Sequence, residues 1–170
     1  MTFIEFLIEQ VADAVSHVSV PYVIVGGHAL NHYGYGRMTS DIDILVNPHD
    51  LNTVVKELDP QEARPIFFGG MATRLHSGNE LDILSPNKKW VPEAIRSGID
   101  TPNGKVISLP YLVLMKLWAG RGEKEDNDII QMLKKMTPDQ IKSTKFLVKK
   151  YLPNDLEDFD SYVMMKDYAK

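Results

Sequence analysis

The sequence predicts an α/β fold in which a mixed sheet of about four to five strands is covered by helices. Three observations support this fold class. Short apolar or alternating runs typical of strands occur along the first two thirds of the chain. Segments with helical spacing separate those runs, and the last third has helical spacing alone. We therefore divide the 170 residues into a core at residues 1–107 and a helical C-terminal region at residues 108–170 that packs on the core.

The first predicted elements are a helix and a buried strand. Apolar residues recur every three or four positions between Phe3 and Val18, which predicts an amphipathic helix over residues 2–18. The run Tyr22-Val23-Ile24-Val25 is wholly apolar and is closed by Gly26 and Gly27. This pattern predicts a buried strand that ends in a tight turn. A second helix is expected to begin at His28.

The next predicted strand covers residues 39–46, where polar and apolar residues alternate. Ile42, Ile44 and Val46 fall on one of its faces, so Asp41 and Asp43 fall on the other. Further strands are expected at residues 72–76 and 80–84, joined by a two-residue turn at Gly78-Asn79, and at residues 105–107. Helices are expected at residues 49–58, 90–97, 108–119 and 124–135, and from Thr137 onward.

The composition excludes several classes of function. The chain has no cysteine, so disulfides, zinc-cysteine sites and thiol catalysis are excluded. A formal net charge of −4 disfavours sequence-independent binding to nucleic acid, which depends on neutralising many phosphates. The first residues lack the features of a signal peptide, and no apolar run is long enough to span a membrane. We expect a cytoplasmic protein.

Three acidic residues in strand patterns are the strongest candidates for chemistry. Asp41 and Asp43 are two residues apart, so their carboxylates lie on one face about 7 Å apart and repel each other. A divalent cation removes this repulsion, and Mg²⁺ prefers carboxylate oxygens. Asp82 lies in a similar apolar run, and three such acids on adjacent strands would form a site for two metal ions. The alternative is that these acids mark exposed strand edges.

The glycine pair is the second candidate site. Gly26 and Gly27 lie between a predicted strand and a predicted helix, where a backbone without side chains can approach phosphates closely. The alternative is an ordinary turn.

These residues together resemble a known family. The run Gly26-Gly27-His28-Ala29-Leu30, followed by Thr39-Ser40-Asp41-Ile42-Asp43, is similar to the signature of the polymerase-β-type nucleotidyltransferases, with Asp82 in the place of the third carboxylate. The segment 37–43 resembles the small bacterial branch that includes toxins of abortive-infection and toxin–antitoxin systems. The segment 112–129 resembles a C-terminal motif of that branch with a lysine, an arginine and acidic residues, and whether Glu125, Asp126 or Asp128 takes part stays open.

The resemblance implies an enzyme that moves a nucleoside monophosphate from an NTP to a hydroxyl acceptor with two Mg²⁺ ions and releases pyrophosphate. The acceptor would be an RNA or tRNA end, a protein or a small molecule. The implied catalytic and metal-binding residues are Asp41, Asp43 and Asp82, and the implied nucleotide-binding residues are Gly26, Gly27, Arg37, Thr39, Ser40 and Lys116.

Further partners are a cognate antitoxin or toxin and a second copy in a homodimer. Three alternatives stay open: a non-catalytic binding module with the same fold, an antibiotic-modifying nucleotidyltransferase, and a hydrolase that uses the same carboxylates.

Overall fold

The structure is a computed structural model that describes residues 9, 13–120 and 122–168. Residues 13–16 are helical, and most of the helix predicted over residues 2–18 lies outside the described residues. The chain divides into two compact units, the first ending at Ile107 and the second beginning at Ser108.

Within the described residues, the first unit contains a sheet of seven strands. The strands are β1 (Tyr22–Val25), β2 (Ile42–Val46), β3 (Glu62–Pro65), β4 (Gly70–Arg74), β5 (Glu80–Leu84), β6 (Ile99–Thr101) and β7 (Gly104–Val106). Their order in the sheet is β3-β4-β5-β2-β1-β7-β6. The pairs β2–β5 and β1–β7 are parallel and the other pairs are antiparallel, so the sheet is mixed as predicted.

The predicted number of strands, four to five, is wrong because two strands gave no pattern in the sequence. These are β3 and β6, which form the two edges of the sheet. All four residues of β3 are exposed, as are Ile99 and Asp100 in β6. An edge strand with both faces in water needs no alternation of apolar and polar residues, so its sequence does not distinguish it from a loop.

The hairpin between β4 and β5 differs from the predicted two-residue turn. Leu75 N donates to Asn79 O and Gly78 N donates to Leu75 O, both at 2.9 Å. Residues 76–78 are therefore a three-residue loop, in which Gly78 takes a positive φ of 89°. The glycine serves the left-handed position of this longer loop and not the second position of a two-residue turn.

Besides the helical residues 13–16, the described part of the first unit has three α-helices: α1 (Gly26–His32), α2 (Leu51–Leu58) and α3 (Val91–Arg96). A 3₁₀ turn at Pro48–Asp50 leads into α2. Helices α1 and α3 pack on the central strands β1 and β2. Val23 of β1, Ile44 of β2 and Leu81 of the adjacent strand β5 belong to the buried core, each with no exposed surface. The two central strands are therefore fixed in position, and the residues at their ends are fixed with them.

The second unit is helical. Its helices are α4 (Leu109–Ala119), α5 (Glu123–Lys135), α6 (Pro138–Tyr151) and α7 (Leu156–Met165), with a 3₁₀ turn at Pro153–Asp155. Thr137 caps α6 in a capping box with Gln140, as its position before Pro138 indicates. Among the described residues, no helix combines the length and the apolar character that crossing a membrane requires.

Candidate active site

Two of the three candidate carboxylates lie side by side in the sheet. Strands β2 and β5 are parallel, and Asp43 is in register with Asp82. Register partners on adjacent strands point to the same face, and neighbouring strands lie about 4.8 Å apart. Both aspartates are half-buried, flanked along their own strands by buried residues such as Ile44 and Leu81. The apolar neighbours thus hold two acids together in the middle of the sheet.

Gly26 adjoins the first of these carboxylates. It begins α1 with a φ of +65°, a left-handed conformation that favours glycine. A Cβ atom at Gly26 would lie 2.9 Å from Asp43 Cγ and closer still to Asp43 Oδ2. The absence of a side chain at this position therefore lets the Asp43 carboxylate approach the backbone where β1 ends and α1 begins.

Gly27 has the same relation to Thr39. A Cβ atom there would lie 2.7 Å from Thr39 Cβ and 2.9 Å from Thr39 Oγ1. The predicted tight turn is in fact the start of α1, since both glycines lie within the span of that helix. What the pair provides is room for two polar side chains, those of Thr39 and Asp43, against one stretch of backbone.

Asp41 lies just before β2 and is exposed, because the strand predicted from residue 39 begins only at Ile42. Ser40 Oγ donates to Asp41 Oδ1 at 3.0 Å, and Thr39 Oγ1 donates to the Asp41 carbonyl at 3.2 Å. The predicted nucleotide-binding residues Thr39 and Ser40 thus contact Asp41 directly.

The electrostatics connect Asp41 with Asp82. Burial raises the pKa of Asp82 above its usual value, and the negative charges of Asp41 and Glu80 raise it further. The charge of Arg64 opposes this rise in the pKa. A carboxylate with a raised pKa is a better proton acceptor than an ordinary aspartate.

His28 is the third residue of α1, and its Nε2 atom is buried with no hydrogen-bond partner among the described residues. Burial lowers the pKa of His28, and the charge of Asp41 partly opposes this. An imidazole with a lowered pKa, whose Nε2 has no partner in the described part of the chain, therefore lies within the electrostatic influence of Asp41.

Arg37 is held by its backbone. The side-chain amide of Asn31 donates to Arg37 O at 2.7 Å, and Arg37 N donates to Asn31 Oδ1 at 2.5 Å. Asn31 thereby fixes the loop that leads from α1 to residues 37–41. Sequence reasoning missed Asn31, because an asparagine inside a helix gives no signal that it will bind a loop six residues further on.

Lys116 belongs to the second unit. Its Nζ atom pairs with Asp128 Oδ2 at 3.1 Å, and the two side chains are only 16% and 15% exposed. Asp126 accepts a hydrogen bond of 2.6 Å from Tyr162 Oη, so its carboxylate has a contact of its own within this unit. Of the acidic residues left open above, Asp128 is the one that contacts the candidate lysine. Arg121, part of the same motif, lies outside the described residues.

The carboxylates do not by themselves form a closed metal-binding cluster. Within the described ranges, no group of three or more His, Asp or Glu side chains is arranged to hold a metal ion. The donor set nevertheless suits a hard cation, since Asp43 and Asp82 are in register and Asp41 is close enough to affect the pKa of Asp82.

Sheet and site together define a fold class, the nucleotidyltransferase fold, and comparison with solved structures confirms that fold. No protein-family model matches the sequence, and no curated protein sequence matches it. Solved structures with the nucleotidyltransferase fold do match it.

Three of these structures illustrate the likeness. The antibiotic-resistance factor ANT(2'')-Ia matches with a TM-score of 0.57 and 15% identity over 92% of this chain and 96% of that chain. The lincosamide antibiotic adenylyltransferase LnuA matches with a TM-score of 0.51 and 19% identity over 81% of this chain and 99% of that chain. The Megavirus polyadenylate synthase matches with a TM-score of 0.53 and 16% identity over 85% of this chain, but only 37% of that chain. At these identities the comparisons establish the fold alone.

Proposed function

We propose that this protein is a cytoplasmic, Mg²⁺-dependent nucleotidyltransferase that moves a nucleoside monophosphate from an NTP to a hydroxyl acceptor and releases pyrophosphate. One observation supports this above the others. Asp43 and Asp82 are in register on adjacent parallel strands, and the Asp43 carboxylate lies against the backbone of Gly26. An ordinary sheet has no reason to hold two half-buried acids together, because like charges in register are destabilising.

Asp41, Asp43 and Asp82 would hold two magnesium ions. Bound there, the ions would neutralise the three carboxylates and stabilise the charge of a triphosphate. The chain's own contribution is to keep Asp43 and Asp82 in register through buried strands, and to keep Asp41 in place through Ser40.

The nucleotide would lie beside the start of α1. Gly26 and Gly27 let the side chains of Asp43 and Thr39 lie against the backbone at this point. Thr39 and Ser40 offer hydroxyl groups next to Asp41. We assign phosphate binding to Gly26, Gly27, Thr39, Ser40 and Arg37. The backbone of Arg37 is held in place by Asn31. Lys116 is a further candidate, which would have to exchange its ion pair with Asp128 for a phosphate.

Asp82 would act as the base. It would take the proton of the acceptor hydroxyl, whose oxygen forms a bond to the α-phosphorus as the bond to the leaving pyrophosphate breaks. The raised pKa of Asp82 suits this role. Positioning of the two reactants would supply much of the acceleration.

The proposal has several versions, which differ in the class of acceptor. The resemblance of residues 37–43 to abortive-infection toxins favours an RNA or protein acceptor and a partner in a toxin–antitoxin pair. The likeness to LnuA, an antibiotic adenylyltransferase, favours a small hydroxyl compound. The absence of a closed metal cluster among the described residues is the observation that favours a non-catalytic binding module instead.

The test is an incubation of the purified protein with each α-labelled NTP, Mg²⁺ and one acceptor class at a time: tRNA, protein extract, or small hydroxyl compounds. We expect label on one acceptor class and equimolar pyrophosphate. Free nucleoside monophosphate without transfer would instead indicate a hydrolase. Tight partner binding without turnover would indicate a binding module.

The matched variants are Asp43→Asn and Asp100→Asn. Asp100 is an exposed aspartate on the edge strand β6 of the same unit, so its substitution removes an equal charge outside the site. Asp43→Asn should reduce transfer at least about 100-fold and Asp100→Asn should not reduce it. Equal activity in both variants would refute the assignment of the site.

A further inference from the structure

A cavity opens on the far side of Asp82 from the glycines. It has a volume of about 260 Å³ and is lined by residues of β3, β4 and β5, with Asp82 in its wall. Gly26 lies against Asp43, and the cavity lies beyond Asp82. The paired carboxylates therefore lie between the cavity and the backbone at Gly26. In the proposed function the nucleotide lies beside Gly26, so this cavity is available for the acceptor.

The sheet register places an arginine in the same row as the carboxylates. Arg64 pairs with Ala72, Ala72 with Asp82, and Asp82 with Asp43. Register partners share a face, so these four side chains project from the same side of the sheet. The small Ala72 side chain leaves space between Arg64 and Asp82, which lie about 10 Å apart across two strand spacings.

A neighbouring row contains the remaining charges of the cavity. Arg74 pairs with Glu62 on one side and Glu80 on the other, and its guanidinium contacts Glu80 at 3.0 Å. The positive charge of Arg74 is thereby balanced within the row. The Arg64 side chain has no such balance, since it makes no hydrogen bond or ion pair with any other residue in the described part of the chain and acts on Asp82 only at longer range. Arg64 is therefore the cation that this cavity offers to a ligand.

We propose that the cavity binds the acceptor and that Arg64 recognises a phosphate group on it, within about 10 Å of the reacting hydroxyl. The planar guanidinium presents paired N–H donors that match two phosphate oxygens. The phosphate holds the acceptor so that its hydroxyl meets Asp82, which takes the hydroxyl proton while the oxygen bonds to the α-phosphorus and pyrophosphate leaves. This assignment rests on the proposed function and narrows its acceptor to a phosphorylated alcohol. A small phosphorylated compound and the 3′ end of an RNA share this chemistry.

The test observes Arg64 directly by NMR. The chain has five arginines, so the side-chain Nε–H signals are few, and the one that vanishes in Arg64→Gln identifies Arg64. Wild-type protein is titrated with glycerol 3-phosphate, with glycerol, and with a short RNA that ends in a 3′ hydroxyl, at matched ionic strength in sodium chloride. Arg96→Gln is the control, because Arg96 is an exposed arginine on α3 that pairs with Glu93 outside the cavity.

We expect the Arg64 signal to move with glycerol 3-phosphate or with the RNA and to stay in place with glycerol. Movement with the RNA alone identifies a nucleic-acid end as the source of the phosphate, and movement with both identifies the smaller group as sufficient. Affinity for the active probe should fall at least about tenfold in Arg64→Gln, recover in part in Arg64→Lys, and stay unchanged in Arg96→Gln. An unmoved Arg64 signal, or equal affinity of wild type and Arg64→Gln, would overturn the inference. Transfer does not enter this titration, so a protein that binds the probe but transfers nothing would contradict the proposed function and not this assignment.

Discussion

Gly26→Ala is the substitution that probes the glycine–carboxylate contact most directly. Gly26 has a φ of +65°, which costs an alanine about 1–2 kcal/mol. The new Cβ atom would also lie 2.9 Å from Asp43 Cγ, well inside ordinary van der Waals contact. Overpacking of this kind costs about 1–3 kcal/mol. The free energy of unfolding should therefore fall by about 2–5 kcal/mol in total.

Gly36→Ala separates the two contributions. Gly36 has nearly the same φ, +59°, but its Cβ position has no atom within 4 Å. Its substitution should cost only the conformational part, about 1–2 kcal/mol. The free energy of unfolding of each variant is measured by urea denaturation followed by circular dichroism. The difference between the two variants gives the cost of the steric overlap with Asp43.

A double variant completes the argument. Asp43→Ala removes the carboxylate that meets the new Cβ atom, so Gly26→Ala should cost less in that background, by about 1–3 kcal/mol. If Gly26→Ala proves no more destabilising than Gly36→Ala, or costs the same with and without Asp43, the close approach of Asp43 to the backbone does not exist and the reasoning fails.

Three further predictions concern charges and ionisation. The folded-state pKa of Asp82 is raised, so the stability that this carboxyl contributes at low pH is lost as the pH rises through that pKa. Asp82→Asn should therefore unfold at a higher urea concentration than wild type in Mg²⁺-free buffer at about pH 7. The urea midpoints of variant and wild type should converge near pH 3. Burial raises the pKa of Tyr35 to about 12, so the free energy of unfolding should decrease between about pH 10 and pH 12. Tyr35→Phe should reduce this decrease, measured by urea denaturation at a series of pH values. A decrease as large in Tyr35→Phe as in wild type would contradict the prediction. Lys116→Met removes the partner that lies 3.1 Å from the largely buried Asp128, and it should lower the free energy of unfolding by about 1–3 kcal/mol, measured by thermal unfolding. Adding Asp128→Asn should restore part of this loss. A Lys116→Met variant as stable as wild type would contradict the prediction.

The central part of the fold could be predicted from the sequence because its strands are buried. Residues 22–25 and 80–84 form strands with the predicted bounds, and residues 42–46 form the larger part of the strand predicted over residues 39–46. Each of these strands carries the apolar residues that a buried strand needs. The same pattern identified Asp43 and Asp82 as acids that interrupt apolar runs, and it predicted a shared site on the condition that their strands are adjacent. Their exact register, in contrast, comes from pairing between distant strands and was not predictable.

The acceptor side of the site could not be predicted. Arg64 lies on β3, whose four residues are all exposed and whose sequence, Glu-Ala-Arg-Pro, carries no strand signal. Only the pairing of β3 with β4 brings Arg64 into the row of Asp82. Likewise, nothing in the sequence indicates that His28 Nε2 is buried with no hydrogen-bond partner among the residues that the structure describes, or that Asn31 holds the backbone of Arg37.

The binding of divalent ions with nucleotide is the property on which the proposed mechanism depends most. Mn²⁺ can replace Mg²⁺ at carboxylate sites and its binding can be counted by electron paramagnetic resonance. With a non-hydrolysable ATP analogue present, wild-type protein should bind two Mn²⁺ ions per chain, and Asp43→Asn and Asp82→Asn should each lose at least one while Asp100→Asn keeps both. Wild-type protein that binds no Mn²⁺ with the nucleotide, or an Asp43→Asn variant that binds as many ions as wild type, would contradict the account.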